Sequence, residues 1–185
     1  FAPERTVPKI SNTRIRPSGN ERPKKVHFFL DEFTKFNEPE LAETLVSMLE
    51  RLGYQIIIPS SVESGRAAIS KGCLKLAGKF ALKNVLALKD IVSSAAPLIG
   101  IEPSCILSFR DEYPDLVPAE MRDEALALAE NCLLYDEWIM REVEKGNISS
   151  ADFADLTGTD IWLHGHCHQK AFGHQRREKC EEFSH

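Results

Sequence analysis

No apolar run in this 185-residue chain approaches the roughly 20 residues that cross a bilayer, so no membrane-spanning helix is expected. Positive charge is also short: 23 Lys and Arg stand against 28 Asp and Glu, a formal net charge of −5. That balance lacks the footprint of a nucleic-acid or anionic-membrane binder. There is no GxGxxG, no P-loop and no HExxH, which leaves nucleotide binding and the two-His zinc-protease helix unsupported. The five cysteines (Cys73, Cys105, Cys132, Cys167, Cys180) are odd in number and never spaced as CxxC. They read as thiols of a reduced, intracellular protein rather than a disulfide framework. Nor do four of them gather locally, so an iron–sulfur cluster would need ligands from elsewhere. No repeat of 20–50 residues is present. The opening at Phe1, without Met or a signal-peptide pattern, leads us to expect a piece excised from a larger protein.

What remains is an ordinary globular composition, 43% hydrophobic and 28% charged, enough for one core without disulfide support. Residues 1–24 carry four prolines and no periodicity, and read as a linker draped over a neighbouring domain. The domain itself is expected over 25–172, with 173–185 a polar, disordered or non-native tail. Val26–Leu30 (VHFFL), Tyr54–Ile58 (YQIII) and Pro97–Ile101 (PLIGI) have strand character, and Asp160–Leu163 (DIWL) is read as a fourth strand. Between them, Leu41, Leu45, Met48, Leu49 and Leu52 repeat at helical spacing until Gly53. The span 70–93 does the same through Leu74, Ala77, Ala81, Val85, Leu88 and Val92. Ser104 is read as capping a short helix through Glu112 that Pro114 stops, and 118–144 reads as one long helix. Strands alternating with helices imply an α/β fold: a three-layer Rossmann-like sandwich with a mostly parallel sheet of about four strands.

Open parallel sheets bind ligands at the loops following the carboxyl ends of their strands. On that rule Asp31, Glu32 and Thr34 share one rim with Glu63, Ser64, Gly65 and Arg66. Glu102, Ser104 and Cys105 join them, as do His164, His166, Cys167 and His168. Arg66 suits a carboxylate or phosphate clamp, or an internal pair with Glu63 or Asp31. Glu102, Arg110, Asp111 and Glu112 suit an ion-pair net around the Cys105 turn. Cys105 falls in the first turn of a helix, where the macrodipole favours a thiolate. Two readings stay open for it: a ligand or redox thiol, or a small buried side chain beside Ile106 and Leu107. Cys73 and Cys132 are read as buried helix residues. The segment LHGHCHQKA places three imidazoles and one thiol within five residues. It is either a metal or cluster site, or a strand end whose histidines bond backbone carbonyls. Extended, it would send His164, His166 and His168 to one side and Cys167 to the other; in a tight turn all four gather.

The stretches FLDEFTKFNEPELAETLVSMLERLGY, ESGRAAISKG, PLIGIEPSCILSFRDEYPDL and LHGHCHQKA, in that order, carry a resemblance. From Val26 to Phe172 the chain resembles the cysteine-rich, CCG-type domain of iron–sulfur oxidoreductases. These include the heterodisulfide reductase B subunit and the iron–sulfur subunits of lactate and glycolate oxidation. It is most similar to the first half of that domain in the C-terminal part of fused FAD-binding proteins of the D-2-hydroxyglutarate or D-lactate dehydrogenase type. The resemblance implies electron transfer, with FAD in a separate domain oxidising a 2-hydroxy acid and an iron–sulfur cluster carrying electrons away. It implies FAD-binding and ferredoxin-like domains as partners and a cytoplasmic location, with attachment to the inner membrane face as a variant. Cys105 and Cys167 stand where the family keeps cysteines, and His164, His166 and His168 match its histidine motif.

Two departures accompany the likeness. Glu63-Ser64-Gly65 replaces the family's first Cys-Cys-Gly, and GHQRREKCEEFSH stands where the family continues toward a second. The leading expectation is therefore an electron-transfer domain of a larger FAD-linked dehydrogenase, lacking a complete cluster and not catalytic alone. The alternatives are a docking module without cofactor, and a metal site on the HGHCH turn, where adventitious zinc is the simplest occupant.

Overall fold

The computed structural model describes residues 10–17, 19, 21–155, 158–160, 162 and 164–173. Its centre is a four-stranded sheet of β1 (Lys24–Phe28), β2 (Tyr54–Ile57), β3 (Leu98–Gly100) and β4 (Cys132–Leu134), in the order β2-β1-β3-β4. All pairings are parallel, with Val26 opposite Ile56, His27 opposite Leu98 and Ile99 opposite Leu133. The helices are α1 (Glu32–Asn37), α2 (Pro39–Arg51), α3 (Arg66–Ser70), α4 (Leu74–Leu88) and α5 (Pro103–Ile106). They continue with α6 (Tyr113–Leu116), α7 (Arg122–Ala129), α8 (Tyr135–Glu144) and α9 (Cys167–Gly173). None of the described helices is long and apolar enough to cross a membrane.

Alternation along the strands divides the core in two, as the period of a pleated strand requires. Leu98, Cys132 and Leu134 face a cluster with Ala81, Val85 and Leu88 of α4, Ile106, Phe109 and Leu128. Ile99, Leu133, Val26 and Ile56 face the other way, onto Ala42, Leu45 and Leu49 of α2 and Trp138 of α8. Both sheet faces are thus covered, and the α/β sandwich expected from the sequence is the fold found. α2 begins with Pro39 in its first turn, where the missing N–H costs nothing, and gives way to Gly53 at φ +90°. The stretch 10–17 lies on this domain itself: Ile15 is buried in the α2 layer, and Ser11 N–H donates to Phe36 O at 2.8 Å.

Several element assignments are corrected. The span 118–144 is interrupted by β4, so Cys132 lies in a strand. Cys-Leu-Leu is too short for periodicity to separate a buried strand from a helix turn, and the helices on either side supply the helical pattern. The expected strand 160–163 is not one: Asp160 and Trp162 are outside any strand, Trp162 is 95% exposed, and Ile161 and Leu163 lie outside the described residues. Cys73 precedes α4 and is exposed rather than sitting inside a helix. Pro114 does not stop a helix; it occupies the first turn of α6. The polar tail expected over 173–185 lies, beyond Gly173, outside the described residues, and Cys180 with it.

Candidate functional site

The strand order reverses between β1 and β3, since β2 lies to one side of β1 and β3 to the other. In open parallel sheets the crevice outside that point is where ligands bind. The loops emerging there build a cavity of about 490 Å³ whose lining includes Glu32, Phe33, Arg66, Glu102, Ser104 and Cys105. Three of the loops picked out from the sequence therefore do meet.

Each wall is held by its own short-range chemistry. After β1, the buried Asp31 caps α1, accepting from Thr34 N–H at 2.9 Å and from Thr34 Oγ1 at 2.6 Å. Burial raises its carboxyl above the ordinary 3.8 despite those bonds, and the charges of Glu32 and Glu102 add to the rise. After β2, Ser64 is fully buried and donates through Oγ (2.6 Å) and N–H (3.0 Å) to the two carboxylate oxygens of Glu32. Gly65 turns the chain at φ +78°, a conformation L side chains rarely adopt. Arg66 then pairs with Glu112, not with the expected Glu63 or Asp31. Glu63 faces a neighbouring cavity of about 240 Å³ beside Glu32, Lys35 and Ile58.

After β3, Glu102 rather than Ser104 caps α5, accepting from Cys105 N–H at 3.1 Å and from Ser104 Oγ at 2.8 Å. α5 approaches the sheet closely because Gly100 has no Cβ; one placed there would lie 2.6 Å from Ile106 Cβ. The result is a buried Cys105, 4% exposed. Burial pushes its thiol up from the ordinary value, with Asp31, Glu32 and Glu102 pushing the same way and a hydrogen bond with Ser64 opposing them. The thiolate expected from the helix dipole is not favoured, because a four-residue helix has little dipole to offer against that burial.

Sequence reasoning missed the groups that fix the Ser64 loop. Asn84, buried on the inner face of α4, accepts from Val62 N–H at 3.0 Å and donates to Glu63 O at 3.1 Å and Tyr113 Oη at 2.9 Å. Tyr113 Oη in turn donates to Ser64 O at 2.8 Å. The signal was a lone amide next to the Ala81–Val85–Leu88 stripe. The pairs formed differ from the expected net of Glu102, Arg110, Asp111 and Glu112: Glu112 pairs with Arg66 and Arg110 with Glu137, while Glu102 caps α5.

The fourth group enters through α9, which packs against α5. Its first residue Cys167 is exposed, flanked by half-buried His166 and His168. Cys167 Sγ lies 3.8 Å from His166 Nδ1 and 3.9 Å from His168 Nδ1, and the two rings stack with centroids 5.3 Å apart. One ligand atom from each of the three lies within 4.8 Å of the others. Neither His164 nor Cys105 belongs to that group. A cluster held by four cysteines does not fit these donors. Among the described residues Cys105 is the one thiol lining the cavity, Cys132 is buried in β4 with its Sγ 3.3 Å from Leu128 O, and Ser64 stands where the resemblance places a cysteine.

Over most of its length the chain is similar to oxidoreductases. It is 29% identical to D-2-hydroxyglutarate dehydrogenase of Pantoea ananatis over 151 residues, 81% of this chain and 14% of that protein. The same enzyme of Escherichia coli strain K12 is 30% identical over 137 residues, 74% of this chain and 12% of that protein. One of the subunits of the anaerobic glycerol-3-phosphate dehydrogenase of E. coli K12 is 25% identical over 151 residues, 80% of this chain and 36% of that polypeptide. The chain thus spans between 12% and 14% of the length of these two D-2-hydroxyglutarate dehydrogenases. No family model matches it, and no solved structure matches it significantly.

Proposed function

We propose that this chain is a domain from the electron-transfer part of a larger FAD-linked 2-hydroxy-acid dehydrogenase, and that it does not complete an iron–sulfur cluster with its own residues. The observation that carries the reading is the meeting of three loops at the strand-order reversal, in segments similar to dehydrogenases over about three quarters of the chain or more. A sheet edge of that kind is where an α/β domain presents itself to a cofactor or a cofactor-bearing neighbour. Here the edge offers one buried thiol, the carboxylates of Glu32 and Glu102, and an Arg66 paired with Glu112. The carboxylates and Arg66 position loops, and Cys105 is the candidate ligand of this edge for a cluster that other parts of the parent protein would complete.

A second reading, a docking module with no part in cofactor binding, draws on Ser64. Both its N–H and its hydroxyl are committed to Glu32, so the position is closed from within rather than left for a ligand. The intact parent protein tests both. Under the first reading it oxidises a D-2-hydroxy acid such as D-2-hydroxyglutarate with reduction of a dye, and Cys105→Ser lowers its iron content and its turnover together. Unchanged iron and turnover in Cys105→Ser would leave only the docking reading. A parent that oxidises no 2-hydroxy acid would overturn the assignment to this class of dehydrogenase.

A further inference from the structure

The resemblance groups Cys167 with Cys105 as cluster ligands, yet the side chains nearest its sulfur are two imidazoles. The His-Cys-His run at the start of α9 holds two imidazoles and one thiol with a ligand atom of each inside 4.8 Å of the others. We infer that His166, Cys167 and His168 form a mononuclear site for a borderline-soft divalent cation of the zinc class.

The distances decide in its favour. In a tetrahedral site with Zn–S near 2.3 Å and Zn–N near 2.05 Å, sulfur and nitrogen lie about 3.5 Å apart. The separations of 3.8 and 3.9 Å are therefore already within a few tenths of an ångström of the bound geometry. Both nitrogens are Nδ1 atoms; the rings are nearly parallel at 9°, so binding requires them to turn until both ring planes meet at the ion. The competing bond is weak: His166 Nδ1 accepts from His168 N–H at 3.3 Å, near the limit of such a bond. The turn itself is held independently, His166 N–H donating to Gln169 Oε1 at 2.8 Å and Lys170 N–H to His166 O at 3.0 Å.

The donor chemistry selects the ion. Imidazole with thiolate suits zinc and its neighbours and disfavours magnesium and calcium, which take oxygen ligands. Among the described residues no fourth His, Cys, Asp or Glu joins the three. The fourth position is left to water or to an incoming ligand, the arrangement that distinguishes open zinc sites from closed structural ones. Because α9 lies on α5, the ion sits beside the helix that carries Cys105 without drawing Cys105 into its coordination.

Cobalt(II) titration of the full 185-residue chain under reducing conditions tests this, since a cobalt–thiolate bond gives a near-ultraviolet charge-transfer band. One equivalent is expected to saturate the band, and excess zinc to abolish it. Cys167→Ser removes the band, His166→Gln and His168→Gln each weaken binding at least tenfold, and Cys105→Ser and Cys180→Ser leave it in place. Cys167 is exposed, so its replacement leaves the far-ultraviolet circular dichroism unchanged and the loss is not one of folding. A band that survives Cys167→Ser, one that vanishes with Cys105→Ser, or no saturable binding would overturn the site. The readout is independent of iron, sulfide and turnover, so it stands or fails apart from the dehydrogenase reading.

Discussion

Cys105 and Cys167 are the same chemical group in opposite surroundings. One is enclosed by Ile106, Leu107 and a ring of carboxylates; the other stands in solvent between two imidazoles. Thiol reactivity follows the thiolate fraction, and burial near negative charge lowers that fraction steeply. Mild alkylation followed by peptide mass spectrometry is therefore expected to modify Cys73 and Cys167 readily in the native chain, while Cys105 and Cys132 react only after unfolding. Native-state labelling of Cys105 at the rate of Cys167 would contradict the protonated, enclosed thiol described above. Ser64 belongs to the same scale. Its hydroxyl, its N–H and its carbonyl are all engaged, by Glu32 and by Tyr113. That saturation separates a loop-fixing residue from a ligand awaiting a partner.

At the scale of elements, the position of α5 depends on a missing methyl. Gly100→Ala places a Cβ 2.6 Å from Ile106 Cβ, and the helix carrying Cys105 must shift. Overpacking of this kind typically costs about 1 to 3 kcal/mol, and urea denaturation is expected to show a loss in that range. An unchanged midpoint would mean that α5 adjusts freely and that its register against β3 is not fixed. The same pair of elements shows what the sequence discloses. β1, β2 and β3 were legible because each is a run of branched or aromatic residues closed by a turn signal. The helix α2 was legible through its leucine spacing, Pro39 and Gly53. β4 was hidden because Cys132, Leu133 and Leu134 are only three residues, flanked by two helices with compatible patterns. Asp160–Leu163 drew the assignment away because Ile, Trp and Leu have strand propensity whether or not a neighbouring strand is available to pair with them.

The site was legible to the same depth. Loop membership followed from topology, so Glu32, Arg66, Glu102, Ser104 and Cys105 were assembled in advance. Their partners were not, because Glu112 reaches the rim from the turn before α6 and Asn84 from within α4, and no spacing rule encodes such long-range pairs. The histidine turn was recognised by density of donors alone. Which three of its four side chains share one point depends on how the backbone turns into α9, and that turn has no local signature.

At the scale of the whole molecule, a four-stranded parallel sheet with both faces covered leaves its carboxyl edge as the place where chemistry or docking is arranged. Among the described residues that edge carries a cavity with one thiol and, at the start of α9, a separate His-Cys-His group. The chain is similar to dehydrogenases of which it spans 12% to 14%, and on the function proposed above other domains would supply the flavin and the missing ligands. The central claim is that this sheet edge is that of an oxidoreductase domain with an incomplete ligand set. Anaerobic incubation of the chain with ferrous iron, sulfide and thiol reductant, followed by desalting and assay of iron and acid-labile sulfide, tests it most directly. The account predicts far less than one cluster per chain and no broad thiolate-to-iron absorption. A stoichiometric four-iron cluster in the wild-type chain, lost in Cys105→Ser, would contradict it.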